Sequence, residues 1–326
     1  MKKCIVTGGL GFIGSHLVEK LVDLKYKVIV IDNCINGKIS NISNVQNKVK
    51  IFKNDISKKG DWQNAFKNAD VVFHLAALAD IVPSINNPLL YFNTNVKGTL
   101  NVLEYSKKYK IKKFIYAASS SCYGIPKKYP TDENEKLDPK YPYSLTKKIG
   151  EDLVLHWGNV FKLNVTSLRF FNIYGIRSRT TGSYGAMFGV FLAQKINNKN
   201  YTVVGNGRQK RDFIYISDVV EAILKSSRLK KKNLVLNIGS GKCYSINYIV
   251  KLLGGKKTYL PKRPGEPDIT WSNIKKAKKI LNWKPKVTIE DGVKILLKNI
   301  NLWNNAPLWS KDKIKIATKD WFKYLK

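Results

Sequence analysis

The sequence predicts an α/β fold in which a doubly wound parallel sheet is joined to a smaller mixed α/β lobe. Short apolar segments of strand length alternate with amphipathic helical segments through the first half of the chain, and this order is typical of parallel sheets with helices on both faces. A glycine-rich turn separates the first strand from the first helix. The alternation later breaks, so we assign 1–175 with about 214–240 to the sheet domain and 176–213 with 241–326 to the second lobe.

The composition excludes some classes of protein. The 326 residues carry 58 Lys and Arg against 23 Asp and Glu, a formal net charge of +35, which can attract nucleic acid or an anionic membrane. The lysines are spread along the whole chain, so we attribute the charge to composition and expect no nucleic-acid partner. No run of about 18 apolar residues occurs, so we expect no membrane span.

Cysteine and histidine usage bears on metals and location. Four widely spaced cysteines and three scattered histidines form no metal-binding motif. The apolar run at 4–6 is too short for the core of a secretion signal. Widely separated cysteines fit a reducing compartment. We therefore expect a cytoplasmic protein without a metal site.

The N-terminal motif predicts a dinucleotide site. A buried strand at 3–7 leads into Gly9-x-Gly11-x-x-Gly14, which opens an amphipathic helix. This order matches the dinucleotide fingerprint, in which glycines let backbone amides approach a pyrophosphate at the helix N-terminus. The second strand ends at Asp32. Its carboxylate can accept hydrogen bonds from ribose hydroxyls and would repel a 2′-phosphate, which favours NAD over NADP.

Small or polar residues follow the next three predicted strands, at 49–53, 70–75 and 113–118. Since open α/β sheets bind ligands beyond the carboxyl ends of their strands, we expect these residues at the same site. In strand order they are Asp55, which could meet an adenine amino group; Ala76 and Ala77, which let a cofactor lie against the backbone; and Ser119, Ser120 and Ser121.

Tyr143 and Lys147 form a candidate proton shuttle. They are four residues apart in a helix predicted to run to about residue 161, so they share one helix face. A lysine cation beside a phenol favours the phenolate, and we expect Lys147 to lower the pKa of Tyr143 from its usual value of about 10. Taken alone, the pair also fits a solvated helix face.

Beyond the break in alternation, individual elements can still be predicted. We expect a flexible loop at 177–185, a helix at 187–197 and a strand at 201–204, followed by a helix at 218–227 and a strand at 234–238 that return to the first domain. The remainder is helical and basic, with Trp283, Trp303, Trp309 and Trp321 spaced as packing anchors. The segment 305–326 has no assignment.

As an ordered set, these motifs resemble the extended short-chain dehydrogenase/reductase family, and within it the nucleotide-sugar epimerases and dehydratases, especially those like the UDP-glucose and UDP-N-acetylglucosamine 4-epimerases. The resemblance covers nearly the whole chain up to about residue 300. It rests on Thr7-Gly-Gly-x-Gly-x-x-Gly14, Asp32-Asn33, Asp55-Ile56, Ser119-Ser-Ser, Tyr143-x-x-x-Lys147, Arg169-Phe-Phe-Asn172-Ile-Tyr-Gly175, the stretch 205–218, and Arg263-Pro-Gly-Glu-Pro-Asp-Ile-Thr-Trp271.

The resemblance implies a Rossmann-type domain that binds NAD and a second lobe that binds a UDP-sugar. In such enzymes Tyr143 would be the acid/base, Lys147 would hold the nicotinamide ribose, and Ser119 would bond the reacting hydroxyl. The implied cofactor contacts are Gly8, Gly11, Phe12, Ile13, Gly14, Asp32, Asn33, Asp55, Ile56, Leu75, Ala76, Ala77, Tyr143, Lys147 and Phe170. The implied substrate contacts are Ser119, Ser120, Ser121, Asn172, Arg211, Arg263, Glu266 and Thr270, of which Asn172, Arg211 and Arg263 would bind the diphosphate and Glu266 a ribose or sugar.

The serine cluster favours one reaction of the family. Its 4,6-dehydratases typically carry Asp and Glu where this chain has Ser120 and Ser121, and a serine cannot act as a carboxylic acid near neutral pH. The resemblance therefore implies epimerisation at carbon 4 of a UDP-hexose through a 4-keto intermediate. A 4,6-dehydratase using other acids and a UDP-glucuronate-type epimerase remain alternatives, and a non-catalytic basic nucleic-acid-binding protein on this fold is a different class.

Two further positions bear on the substrate, and the resemblance also implies an assembly. Ala79 stands where related galactose epimerases often carry a lysine that touches the cofactor. In related epimerases the residue before the tryptophan of the Arg-Pro-Gly region acts as a wall near carbon 2; here it is Thr270, which leaves room for an acetamido group. The resemblance thus implies UDP-N-acetylglucosamine and UDP-glucose as substrates, and a homodimer formed through helices around 95–108 and 144–160.

Overall fold

The computed structural model describes residues 2–178 and 186–325. The elements up to residue 174 are β1 (Lys3–Thr7), α1 (Phe12–Asp23), β2 (Lys27–Ile31), β3 (Val49–Phe52), β4 (Val71–His74), α2 (Ile81–Asn86), α3 (Pro88–Phe92), α4 (Gly98–Lys108), β5 (Lys113–Ser119), α5 (Pro142–Val160), β6 (Val165–Phe170) and β7 (Asn172–Tyr174). Short 3-10 segments at Ile39–Lys48, Asp61–Phe66 and Ser120–Tyr123 connect some of them, and a π turn, Asn93–Lys97, joins α3 to α4.

The second half contains more short elements. They are α6 (Met187–Ile196), β8 (Tyr201–Val204), β9 (Lys210–Arg211), β10 (Phe213–Tyr215), α7 (Ile216–Ser227), β11 (Leu234–Ile238), β12 (Tyr244–Ser245), α8 (Ile246–Leu253), β13 (Lys257–Leu260), β14 (Ile269–Thr270), α9 (Lys275–Leu281), α10 (Ile289–Lys298), α11 (Lys311–Ala317) and α12 (Lys319–Tyr324). One further 3-10 segment is Ile300–Trp303. Among the described residues, no helix is long and apolar enough to cross a membrane.

The main sheet has seven parallel strands in the order β11-β6-β5-β4-β1-β2-β3. Successive side chains of β1 enter different cores: Cys4 and Val6 pack on the side of α1 and α7, and Ile5 on the side of α4 and α5. A strand buried on both faces is apolar at every position, which explains the short continuous apolar runs in the sequence. The prediction of a doubly wound parallel sheet is confirmed.

The strand order around β1 and β4 determines where a ligand can bind. The chain runs from β1 outward through β2 to β3 and then returns to β4 on the other side of β1. This reversal leaves a crevice outside the carboxyl ends of β1 and β4, where open sheets bind ligands. The predicted strand at 234–238 is observed as β11 and pairs with β6 at the edge of this sheet.

The other described strands form three short sheets. β8 pairs with β13, β12-β9-β14 form a three-stranded sheet, and β7 pairs with β10. The expected helix at 187–197 and strand at 201–204 are observed as α6 and β8. The short strands β9, β12, β13 and β14 were not expected, and the remainder of the chain is therefore less helical than predicted. The expected loop at 177–185 falls largely in 179–185, outside the described residues.

The late tryptophans are packing anchors in three of four cases. Trp283, Trp303 and Trp321 are 3%, 0% and 2% exposed. Trp309 is partly buried, packed against the larger apolar cluster. Burial of large aromatic side chains dominates the packing of a core. These residues therefore fasten the basic C-terminal segment to the body of the protein.

Candidate active site

One cleft of about 870 Å³ runs from the glycine turn to the second lobe and is lined by every residue predicted for the site. On the sheet side these are Gly8, Gly11, Phe12, Ile13, Gly14, Asp32, Asn33, Asp55, Ile56, Leu75, Ala76, Ala77, Ser119, Ser120, Ser121, Tyr143, Lys147 and Phe170. On the side of the second lobe they are Asn172, Arg211, Arg263, Glu266 and Thr270. The sequence motifs therefore converge in space.

The glycine turn forms a cradle that side chains would fill. Gly8 has φ +70°, in the region that favours glycine, and a Cβ there would lie 2.8 Å from backbone atoms of Ala76. A Cβ on Gly14 would lie 2.0 Å from the carbonyl oxygen of Gly8. The turn leads directly into α1 at Phe12, with Gly11 as its N-cap and no side chain capping the first amides. Exposed amides at a helix N-terminus suit a pyrophosphate, so the residues present fit a dinucleotide.

Asp32 is held at the end of β2 by the backbone. Its carboxylate accepts hydrogen bonds from the amides of Leu10, at 3.0 Å, and Cys34, at 2.8 Å. Burial raises the pKa of Asp32, and these two hydrogen bonds act in the opposite direction. A carboxylate has about four acceptor positions, so capacity remains for ribose hydroxyls. Asp55, at the end of β3, is similarly oriented, because Ser57 donates to its Oδ1 from both amide and hydroxyl at 2.8 Å.

A buried polar network behind the cleft was missed by sequence reasoning. Thr7 Oγ1 and His74 Nδ1 are 2.7 Å apart, and His74 Nε2 is 2.9 Å from Thr99 Oγ1. Burial, with a smaller contribution from Lys147, lowers the pKa of His74 to about 3, so the ring is neutral. The one available signal was a histidine ending an otherwise apolar strand.

Asn95 belongs to the same network and fixes the loop after β4. Its side chain accepts from the amide of Leu78 at 2.8 Å and donates to the carbonyl of Leu78 at 3.0 Å. The same amide nitrogen lies 3.0 Å from Thr146 Oγ1 on α5. Asn95 therefore ties the cofactor side of the cleft to the helix that carries Tyr143 and Lys147.

Ser119 ends β5 beside Tyr143. Its hydroxyl is 2.8 Å from that of Ser121 and accepts from the Ser121 amide at 3.2 Å. Hydrogen bonding by Ser119 and Ser121 favours the phenolate of Tyr143. The hydroxyls of Ser119, Ser121 and Tyr143 therefore lie close together in the cleft. The phenol of Tyr143 is more acidic than either serine alcohol, so Tyr143 is the candidate acid/base group.

The expectation that Lys147 lowers the pKa of Tyr143 below its usual value of about 10 is wrong. Burial raises the pKa of Tyr143 to about 12 and outweighs the hydrogen bonds from the serines. Burial also lowers the pKa of Lys147 to about 8, and its Nζ lies 4.3 Å from the ring centroid of Tyr116. Desolvation disfavours the charged form of each group, and the sequence motif does not report how deeply the pair is buried.

The second lobe contributes two arginines joined by one carboxylate. Arg211 donates to Glu266 at 2.9 Å, and Arg263 lies 3.8 Å from the other carboxylate oxygen. Asn172 donates to Thr270 Oγ1 at 2.9 Å and to the carbonyl of Asp212 at 3.1 Å. These contacts hold a cationic pair and an amide–hydroxyl pair on the wall of the same cleft.

The structure also adds residues from outside the motifs. Tyr141 and Trp321 line the cleft next to Arg263, although sequence reasoning left the segment with Trp321 unassigned. Within residues 2–178 and 186–325, no group of three or more His, Cys, Asp or Glu side chains is placed to hold a metal ion.

The fold and the cleft define a doubly wound α/β dinucleotide-binding enzyme. Residues 4–239 match the model of the NAD dependent epimerase/dehydratase family, from the first strand of the main sheet to just beyond its last, β11. The chain belongs to this family, and its cofactor is NAD.

Individual relatives extend the similarity over most of the chain. A candidate UDP-glucose 4-epimerase of Methanocaldococcus jannaschii is 37% identical over 298 residues, which cover 89% of this chain and 95% of the relative. The UDP-N-acetylglucosamine 4-epimerase of Methanobrevibacter ruminantium, solved with UDP-N-acetylmuramic acid, has a TM-score of 0.86 at 32% identity and covers 91% of this chain and 99% of its own. The UDP-glucuronic acid 4-epimerase of Bacillus cereus, solved with UDP-glucuronic acid and NAD, has a TM-score of 0.85 at 32% identity, covering 92% and 99%.

Proposed function

We propose that the protein is an NAD-dependent 4-epimerase of UDP-hexoses that acts on UDP-N-acetylglucosamine and UDP-glucose. The observation that carries the proposal is that Ser119, Tyr143 and Lys147 line one cleft, with Ser120 and Ser121 where elimination would require carboxylic acids. The similarity to 4-epimerases of three different UDP-sugars supports the reaction and leaves the sugar to the residues of this chain.

The residues on the sheet side account for cofactor binding. The amides of the glycine turn would hold the pyrophosphate, Asp32 the adenosine ribose, Asp55 the adenine and Lys147 the nicotinamide ribose. Bound NAD⁺ supplies a hydride acceptor that, once reduced, returns the hydride to the same carbon. Loss of the Lys147 charge above its pKa of about 8 would weaken this hold.

We assign the proton transfer to Tyr143 and the positioning of the sugar hydroxyl to Ser119. Tyr143, as the phenolate, removes the proton of the sugar 4-hydroxyl while Ser119 hydrogen-bonds the same oxygen and keeps it within reach. The positive charge of bound NAD⁺ would favour this phenolate against the burial that otherwise raises its pKa to about 12. The resulting 4-keto sugar is planar at carbon 4, turns in the cleft and presents its other face. Tyr143 then returns the proton to the new hydroxyl. With Ser120 and Ser121 beside Ser119, no carboxylic acid is present to protonate the 6-hydroxyl, so it cannot leave carbon 6 as water.

We assign the binding of the nucleotide diphosphate to Arg211 and Arg263. Arg211 and Arg263 offer two guanidinium forks, which suit phosphate better than the lysines common elsewhere in the chain. Glu266 pairs with both arginines and leaves one positive charge uncompensated. We infer that the diphosphate replaces this carboxylate, leaving Glu266 to accept from a ribose or sugar hydroxyl.

We infer the choice of sugar from the small side chain of Thr270. Its hydroxyl already accepts from Asn172 at 2.9 Å, so a small polar wall faces the cleft instead of an aromatic ring. Such a wall admits a 2-acetamido group. A UDP-glucuronate-type epimerase and a 4,6-dehydratase using other acids are the remaining candidates. A role in nucleic-acid binding has no support from the contacts in the cleft.

The domain boundaries, the assembly and the location of the protein are also proposals. We propose an NAD-binding domain of 1–175 with about 214–240 and a nucleotide-sugar-binding domain of 176–213 with 241–326. Leu145, Val160 and Phe161 are 47%, 52% and 42% exposed on or just after α5, which supports a homodimer through the helices at 95–108 and 144–160. An exposed free thiol at Cys34 suits a reducing cytoplasm.

The test is to incubate the purified protein, without added NAD, separately with UDP-N-acetylglucosamine, UDP-glucose and UDP-glucuronate, and to follow each by proton NMR. We expect the 4-epimers of the first two sugars and no lasting NADH signal. A Tyr143→Phe variant is the matched control and should retain NAD and lose turnover by about a thousandfold or more. A 4-keto-6-deoxy product, or turnover of the uronate alone, would contradict the proposal.

A further inference from the structure

The last helix of the chain places an indole against a predicted diphosphate ligand. Trp321, on α12, is 2% exposed. Its Nε1 donates to the carbonyl oxygen of Pro264 at 2.8 Å, and the guanidinium carbon of Arg263 lies 5.3 Å from its ring centroid. One side chain thus holds both the backbone of this turn and the side chain that enters the cleft.

The same indole also contacts the start of the catalytic helix. The rings of Trp321 and Tyr141 have centroids 5.0 Å apart, and the Tyr141 hydroxyl donates to the carbonyl of Gly265 at 2.7 Å. Tyr141 is the N-cap of α5, where the hydroxyl of Ser144 donates to its carbonyl and accepts from its amide. The contacts of Trp321 therefore extend to the first turn of the helix that presents Tyr143.

A third contact joins α12 to the cofactor side of the cleft. Trp321 packs in a small apolar cluster with Val82 of α2, and the partly buried Ile81, Ile85 and Leu325 complete it. This cluster is separate from the two cores of the main sheet. The C-terminal segment is therefore fastened at the point where the turn at 263–265, α2 and α5 meet.

We propose that Trp321 is a positioning residue that keeps Arg263 in the orientation in which it binds the diphosphate of the substrate. The inference rests on the proposed function, which places Arg263 at that group. An arginine held over an aromatic face has fewer conformations to lose when a ligand binds. Since Trp321 acts through Arg263 and not on the reacting carbon, its loss weakens nucleotide binding and leaves the chemical step intact.

The experiment compares Trp321→Ala and Trp321→Phe with Tyr324→Ala, a matched control on the same helix whose side chain is 62% exposed. Calorimetric titration with UDP, NAD content, melting temperature, KM and kcat are measured for each. We expect Trp321→Ala to weaken UDP binding and raise KM by about tenfold, a size typical of a partly buried cation–aromatic contact. NAD content and kcat stay near wild type, Trp321→Phe gives a smaller loss, and Tyr324→Ala gives none.

A double variant identifies the route of the effect. If Trp321 acts through Arg263, then Trp321→Ala adds little to the loss caused by Arg263→Gln. Additive losses, or wild-type UDP affinity in a folded Trp321→Ala variant, would overturn the inference and leave Trp321 as a packing residue. Should Trp321→Ala fail to fold, wild-type UDP affinity in Trp321→Leu, which keeps apolar bulk and removes the aromatic face, would overturn it equally. A wild-type protein that binds no UDP would instead refute the proposed function itself.

Discussion

Arg169 holds both carboxylate oxygens of Glu151 in a buried ion pair. Its Nε lies 3.1 Å from each oxygen and its Nη2 lies 2.5 Å from one of them, while the two side chains are 6% and 2% exposed. Glu151 belongs to α5, the helix of Tyr143 and Lys147, and Arg169 belongs to β6. The Ser167 hydroxyl donates to the same carboxylate. The pair therefore fixes α5 on the sheet.

Breaking this pair from one side should be costly. Arg169→Met leaves the Glu151 carboxylate buried without its partner, and we expect the free energy of unfolding to fall by about 3 to 5 kcal/mol. Urea unfolding followed by tryptophan fluorescence measures the change. The double variant Arg169→Met/Glu151→Leu should regain most of the loss, because no buried charge remains. A double variant as unstable as the single one would show that the pair's charges are not the cause.

Enlarging the wall of the sugar pocket should change specificity. Thr270→Tyr fills the space beside Asn172, and we expect turnover of UDP-N-acetylglucosamine to fall by about a hundredfold while turnover of UDP-glucose changes little. Competing assays with both sugars give the ratio of kcat/KM values. Thr270→Ser is the control, since it keeps the hydroxyl that accepts from Asn172. Equal losses on both sugars would assign Thr270 to packing.

Stability should depend on pH through Lys147. Burial lowers its pKa from 10.5 to about 8, so between these values the unfolded chain binds more protons than the folded one. The free energy of unfolding contributed by this group therefore rises with pH across that window. Lys147→Met removes the buried charge, and we expect it to be more stable than wild type at pH 7 by a margin that shrinks towards pH 10.

Urea unfolding of both proteins at pH 7, 8.5 and 10 checks this. Lys113, whose pKa burial also lowers to about 8, is present in both proteins and cancels in the difference. A margin that stays constant with pH would mean that Lys147 has an unshifted pKa in the folded protein.

The glycine turn should not tolerate a methyl group at Gly14. A Cβ there would stand 2.0 Å from the Gly8 carbonyl oxygen, so the turn must move and its amides lose their arrangement. We expect Gly14→Ala to retain less than about a tenth of the NAD bound by wild type after purification. Release by denaturation and chromatography measures it. Wild-type NAD content in a folded Gly14→Ala variant would argue against this steric cause.

Much of the sheet and part of the candidate site could be predicted because both depend on local patterns. β1 and β11 of the main sheet, and β8 outside it, have the predicted bounds, since a buried parallel strand is a continuous apolar run flanked by turn residues. The site residues Asp32, Asp55, Ala76 and Ser119 lie at or just after strand ends, and parallel topology alone brings such ends to one edge of the sheet. The residues of the second lobe came only from the family resemblance. No knowledge of side-chain packing was needed for either prediction.

What could not be predicted depends on long-range packing. The contact of Trp321 with Pro264 spans 57 positions, and two-residue strands such as β9 and β12 show no periodicity. The pKa of Tyr143 was predicted with the wrong sign because spacing places a cation nearby and says nothing about desolvation, which dominates here. Asn95 was missed because an asparagine in a helix carries no signal of what it contacts.

The place of β11 at the edge of the main sheet has a consequence for biosynthesis. Its partner β6 is complete by residue 170, whereas β11 ends at residue 238. While the ribosome adds the residues between them, β6 presents an open row of amides and carbonyls that can pair with another chain. Nascent chains stopped in this interval should therefore aggregate, and β11 protects the sheet once it emerges.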